Sequence, residues 1–171
     1  MSEMSLRSVA RDQAKTLVFM QMAVLLSRLG TCPRKGVGAV IIRDGRCISW
    51  GYNGAPPGLP HCEDNEHGWV MIPQYREAMD PEEAADMARL MLEEHGCRNA
   101  THAEANALSF AAKQGISTDM STLFVTVSPC DTCSKLLIAA GIRRVYYQEE
   151  YRDPSGLEIL RMANIGAVQL P

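Results

Sequence analysis

The chain has 171 residues, 46% of them hydrophobic and 22% charged, with a formal net charge of −3. That length suits one compact domain with a sizeable core, and the slight acidity argues against a dedicated nucleic-acid binder with its basic footprint. A local basic pocket for one phosphate stays compatible, because net charge says little about a single site.

The N-terminus, Met1–Asp12, lacks the charged start, apolar stretch and small-residue cleavage site of a secretory signal. The richest apolar run, Leu17–Leu26, is too short to span a bilayer. The expectation is a cytoplasmic protein (in the host, for a viral chain) with no membrane partner. Helix formers run from about Ser8 to Leu29, with Val9, Leu17, Met20 and Val24 able to share a face; Gly30 and Pro33 end that helix. Two β-like segments, Gly36–Arg43 and Arg46–Asn53, meet at Asp44-Gly45, a strong hairpin signal because both turn positions need positive φ. Residues 54–81 are rich in Gly, Pro, His and acids and read as a long loop or insertion, the insertion falling at about 63–94. Asp80 and Pro81 suit the N-cap and first residue of a helix to about Glu94.

From there the pattern alternates: helix Ala103–Gln114, strand Thr122–Val127, helix Asp131–Ala140 closed by Gly141, strand Arg143–Tyr147, helix Pro154–Ala163 and strand Ala167–Leu170. Strands alternating with helices imply parallel pairing and right-handed crossovers, and the leading hairpin makes the sheet mixed. The expected fold is α/β, a single domain over residues 1–171 built as a three-layer α/β/α sandwich around a mixed five-stranded sheet.

Six cysteines, at 32, 47, 62, 97, 130 and 133, point in a cytoplasmic chain to metal binding or free thiols rather than disulfides. Three pieces stand out: Thr101-His102-Ala103-Glu104, the run Ser128-Pro129-Cys130-Asp131-Thr132-Cys133, and a strand between them. Zinc takes thiolates and imidazoles in a tetrahedron, and a catalytic site uses three protein ligands with one open position. His102, Cys130 and Cys133 supply such a set. Cys130 and His102 fall at helix starts, where free N–H groups and the helix dipole stabilise a thiolate. Glu104, two residues after the histidine, is free to face the open position. A bare Cys-x-x-Cys also fits a redox pair, but that reading needs no His–Glu partner. The joint pattern matches the signature of zinc deaminases.

Further segments carry a resemblance: Thr31-Cys32-Pro33-Arg34, Val37-Gly38-Ala39-Val40-Ile41, Gly51-Tyr52-Asn53-Gly54, Gly58-Leu59-Pro60-His61-Cys62, His102-Ala103-Glu104-Ala105-Asn106-Ala107, Pro129–Cys133, Ala140–Val145 and Tyr147. From Thr31 to about Ala167 the chain resembles the deoxycytidylate deaminases of the cytidine deaminase-like superfamily. The metal motifs mark the superfamily; Gly-Tyr-Asn-Gly and Thr-Cys-x-Arg resemble the narrower branch. The resemblance implies hydrolytic deamination of dCMP to dUMP with release of ammonia, in pyrimidine deoxynucleotide metabolism. Glu104 would take the proton of the water, protonate N3 and later the departing amine.

Around that centre the expectations are more open. Asn53 either bonds the sugar 3′-hydroxyl or is a turn residue of an Asn-Gly pair. Ser128 and the backbone beside Ala103 are candidates for the pyrimidine's exocyclic groups, and Arg34 and Lys35 for the phosphate or else a solvated basic pair. Tyr147 and Tyr151 line the pocket mouth or cap the core. The resemblance also implies a structural zinc on Cys32, Cys62, His95 and Cys97, with His61, His67 or Glu94 as alternatives for one ligand, against a reading as scattered thiols; Cys47 reads as core. It implies a homo-hexamer, activated by dCTP and inhibited by dTTP, with Mg2+ accompanying the regulatory nucleotide. The segment Gly51–Gly58, and in it Gly51, Tyr52, Asn53 and Gly54, resembles the regulatory site; its glycines let N–H groups approach phosphates or suit an ordinary turn. Competing readings are a tRNA adenosine, guanine or free-cytidine deaminase, and a zinc-stabilised binding module without catalysis.

Overall fold

The computed structural model describes residues 3–32, 34–59, 61, 80, 82–83 and 99–171. In chain order these form α1 (Glu3–Ser27), β1 (Gly38–Arg43), β2 (Arg46–Tyr52), α2 (Ala103–Lys113), β3 (Thr122–Val127), α3 (Asp131–Ala139), β4 (Arg144–Glu149), α4 (Ser155–Met162) and β5 (Gly166–Gln169). The expected helix to Glu94 and the insertion at 63–94 lie outside the described residues.

The five strands make one sheet in the order β2-β1-β3-β4-β5. β1 pairs antiparallel with both β2 and β3, whereas β3–β4 and β4–β5 are parallel. The Asp44-Gly45 turn has φ of 51° and 71°, the double positive φ that a two-residue hairpin needs. The register shifts between Ile41 and Ile42, so that β2 gains one residue around Ile48, a bulge that adds local twist. Each parallel step crosses over through a helix, α3 and then α4, as parallel pairing requires.

Side-chain alternation separates the two faces of the sheet. Ala39, Ile41, Leu123, Val125, Val145 and Tyr147 pack in one cluster with Ala103, Ala107, Leu137 and Leu160 of α2, α3 and α4. Val40, Ile42 and Phe124 pack on the other face with Met20 and Ala23 of α1. The result is the three-layer sandwich.

The face expected of α1 is corrected by this packing. Met20 is buried, but Val9 and Leu17 are 48% and 50% exposed. The stripe that meets the sheet is Phe19, Met20, Met22, Ala23 and Leu26, all in the C-terminal half of the helix. Helical periodicity reports which residues can share a face, and the extent of the sheet beneath decides which of them are covered. Strand β4 also runs two residues further than expected, so that Glu149 pairs with Val127.

Candidate active site

The N-terminus of α2 is tied closely to β2. Ser49 donates its hydroxyl to the Ala107 carbonyl at 2.6 Å, and Asn106 Nδ2 donates to the Tyr52 carbonyl at 2.9 Å. A Cβ on Gly51 would stand 2.5 Å from Ala107 N and 2.6 Å from Ala103 O, so only glycine allows that approach. Just before the helix, Thr101 exchanges backbone hydrogen bonds with Gly54 at 2.8 and 3.1 Å. His102 is thereby fixed as an extended N-cap residue, and Glu104 falls in the first turn of α2.

β3 ends at Val127 and leads through buried Ser128 and Pro129 to Cys130, the extended N-cap residue of α3. The Pro129–Cys130 turn is backed by Gly156 of α4, where a Cβ would meet Pro129 O at 2.0 Å. Cys133 is buried one helical turn into α3. His102 Nδ1 lies 3.5 Å from Cys130 Sγ and 3.5 Å from Cys133 Sγ.

The donor set fits zinc. A tetrahedral ion bound at about 2.0–2.1 Å by nitrogen and about 2.3 Å by sulfur holds these atoms about 3.5 Å apart, which is the spacing found. The thiols show the same preference. The Cys130 thiol is lowered to about 4, first by a hydrogen bond from the Cys133 thiol and then by His102. Cys133 is pushed upward, first by its bond to Cys130 and then by burial. Ionisation of one thiol opposes that of the other in this arrangement, and a divalent cation bound between them would allow both to be thiolates. His102 is raised, chiefly by its hydrogen bond to Cys130. Burial raises the Glu104 carboxyl to about 6; it is 4% exposed. Among the described residues, His102, Cys130 and Cys133 are the one group of three or more such side chains close enough to share a metal ion.

A recess of about 70 Å³ opens at this centre, lined by Val37, Asn53, Ala103, Glu104, Ser128 and Tyr151 together with His102 and Cys130. It shares Val37, His102, Val127, Cys130 and Tyr151 with an outer cleft of about 640 Å³, whose walls include Arg34, Lys35, Glu150 and Arg152. Glu104, Ala103, Ser128 and Tyr151 are thus brought together in the recess, and Arg34 and Lys35 in the cleft. Ser128 Oγ accepts the Tyr151 N–H at 2.8 Å, which fixes the loop after β4 over the recess. Tyr147, by contrast, belongs to the core. Lys35 is paired with Glu149, whereas Arg34 has no ion-pair partner among the described residues. Val37, noted in the sequence only within the Val37–Ile41 resemblance segment, and Val127 were given no site role; a valine at or beside a strand end carries no signal beyond the strand.

Cys32 is half-buried in the wall of the outer cleft, while Cys62, His95 and Cys97 lie outside the described residues. Cys47, expected in the core, is exposed on β2, an edge strand with solvent on one side. In the segment 51–54, the Asn53 N–H goes to Val37 O and the Gly54 N–H to Thr101 O, so neither is open to a phosphate. No helix among the described residues is long and apolar enough to cross a membrane.

A mixed sheet that sets an imidazole and two thiols at two adjacent helix starts, with a buried carboxyl beside them, defines a metal-dependent hydrolytic centre. The sequence matches the cytidine and deoxycytidylate deaminase zinc-binding region over residues 13–149. It is 36% identical to the deoxycytidylate deaminase of enterobacteria phage T4, covering 92% of this chain and 90% of that one. It is 37% identical to ComE operon protein 2 of Bacillus subtilis (strain 168), over 89% of this chain and 69% of the relative. The crystal structure of the dCMP deaminase from cyanophage S-TIM5 in complex with dCMP and dUMP superposes with a TM-score of 0.67 and 31% identity, covering 90% and 94% of the two chains. The chain belongs to the cytidine and deoxycytidylate deaminase family and is a hydrolytic deaminase.

Proposed function

We propose that the substrate is dCMP, converted by water to dUMP and ammonia, with zinc held by His102 Nδ1, Cys130 Sγ and Cys133 Sγ. The observation that carries this reading is the buried Glu104 carboxyl beside the His–Cys–Cys group, at the base of a recess that opens toward Arg34. The phage relatives named as acting on dCMP or binding it support the choice of nucleotide. A zinc ion held by His102, Cys130 and Cys133 would supply an acidified water, with a pKa of about 7 in comparable sites. Glu104 takes one proton from the attacking water and passes it to N3 of the ring, then takes the remaining proton from the new C4 hydroxyl and delivers it to the amine, so that the C4 carbonyl forms as the C4–N bond breaks and ammonia leaves. Ser128 and the backbone at Ala103 bound the ring, Tyr151 closes the recess, and Arg34 receives the phosphate as a charge-assisted partner.

The same reading extends to a cytoplasmic homo-hexamer, activated by dCTP and inhibited by dTTP with Mg2+ on the regulatory nucleotide. It also places a second zinc on Cys32, Cys62, His95 and Cys97; both extensions are supported by the family resemblance of the early segments. Purified protein should release ammonia from dCMP much faster than from deoxycytidine or a tRNA anticodon loop, and lose that activity when zinc is chelated. Equal rates on dCMP and deoxycytidine would refute the substrate. Metal analysis reading one zinc per chain would remove the second site.

A further inference from the structure

Asn53 makes an unusual set of contacts for a residue at the end of a strand. All of its polar groups reach toward one segment. Its backbone N–H donates to Val37 O at 3.0 Å and its carbonyl accepts the Thr31 N–H at 3.1 Å. Its side chain repeats the pattern, with Oδ1 accepting the Val37 N–H and Nδ2 donating to Lys35 O, each at 2.7 Å. The amide orientation follows from its partners, since one is a pure donor and the other a pure acceptor. The residue is 7% exposed. Gly30 provides the room: a Cβ there would stand 2.5 Å from Asn53 Oδ1. On the far side, a Cβ on Gly36 would stand 2.2 Å from Ser27 O, so residues 34–37 are wedged between the end of α1 and the Asn53 amide.

We infer that Asn53 is a positioning residue: its amide clamps residues 34–37, setting Val37 at the recess and Arg34 in the outer cleft, and so determines the preference for a phosphorylated nucleotide. The inference rests on the dCMP reading for its phosphate half. Nothing else in the described contacts ties Lys35 and Val37 to β2 through a side chain. Losing a hydrogen bond to a buried backbone group costs enough to release the arm, about tenfold in an equilibrium or more. The alternative role for this amide is direct contact with the sugar 3′-hydroxyl, and the two roles predict different kinetics.

The experiment compares parent, Asn53→Ala, Asn53→Asp, Gly30→Ala, Arg34→Ala and the Asn53→Ala/Arg34→Ala double variant on dCMP, deoxycytidine and 2′,3′-dideoxycytidine monophosphate. Expected is a rise of about tenfold in KM for dCMP in both Asn53 variants, with a matching fall in the advantage of dCMP over deoxycytidine. Asn53→Asp does not rescue, because it sets a carboxylate oxygen against Lys35 O. Gly30→Ala, outside the recess, reproduces the pattern, and the Asn53→Ala and Arg34→Ala losses are not additive. Amide exchange at Val37 should speed up in Asn53→Ala, a readout independent of turnover. Equal losses on dCMP and deoxycytidine, a loss that vanishes when the substrate lacks its 3′-hydroxyl, or unchanged exchange at Val37 would each overturn the inference. A parent enzyme without preference for dCMP would instead sink the substrate reading, while the Val37 exchange still reports on the clamp.

Discussion

Replacing Glu104 by Gln should separate stability from turnover. The side chain is 4% exposed, and burial raises its carboxyl from an ordinary 4.5 to about 6. At about 1.36 kcal/mol per pKa unit, that rise means ionised Glu104 costs the metal-free fold about 2 kcal/mol. Because the folded-state value lies above the unfolded one, the cost is absent below about pH 4.5, grows as pH climbs through about 6 and is fully present at pH 7. The amide carries no charge to desolvate. Zinc-stripped Glu104→Gln protein should therefore be more stable than stripped parent by about 2 kcal/mol at pH 7, about 4–8 °C in Tm for a chain of this size. The gain should shrink toward zero at about pH 4.5. The zinc-loaded variant should keep its metal and lose about 100-fold or more in turnover, the contribution expected of a general acid–base. Thermal unfolding of the stripped proteins at several pH values, metal analysis and ammonia release together read these outcomes. A variant that still turns over, or whose stability gain is the same at pH 4.5 as at pH 7, would refute the reasoning.

Other substitutions test how the scaffold holds the centre. Gly156→Ala places a Cβ 2.0 Å from Pro129 O and 2.8 Å from Cys130 C; it should destabilise by about 1–3 kcal/mol and weaken zinc retention against a competing chelator. Gly166→Ala, which meets nothing within 4 Å, should do neither. Leu137 is fully buried beneath α3 whereas its neighbour Leu136 is 45% exposed. Leu137→Ala should cost about 2–5 kcal/mol in urea unfolding, and Leu136→Ala no more than about 0.5 kcal/mol.

Much of the fold and of the centre was legible because it rests on short-range rules. Asp44-Gly45 announced its hairpin since few residue pairs accept two positive φ values, and the turn has them. The alternation after Ala103 fixed the order of strands and helices, and a parallel sheet then had little freedom in its crossovers. His102, Glu104, Cys130 and Cys133 could be grouped because each motif sits at a helix start, where chemistry and spacing coincide.

Long-range packing decided the rest. Lys35 reads as a free cation until the fold brings Glu149 to it across 114 residues, and Val37 becomes a recess wall only where β1 approaches the end of β3. The apolar stripe of α1 depends on how far the sheet extends under it. Asn53 shows the division most clearly. Its place in an Asn-Gly pair is local information, and it permitted either a turn or a ligand contact. The partners of its amide, 16 and 18 residues away, are set by tertiary structure, because a buried amide takes whatever donor and acceptor the packed chain brings within reach.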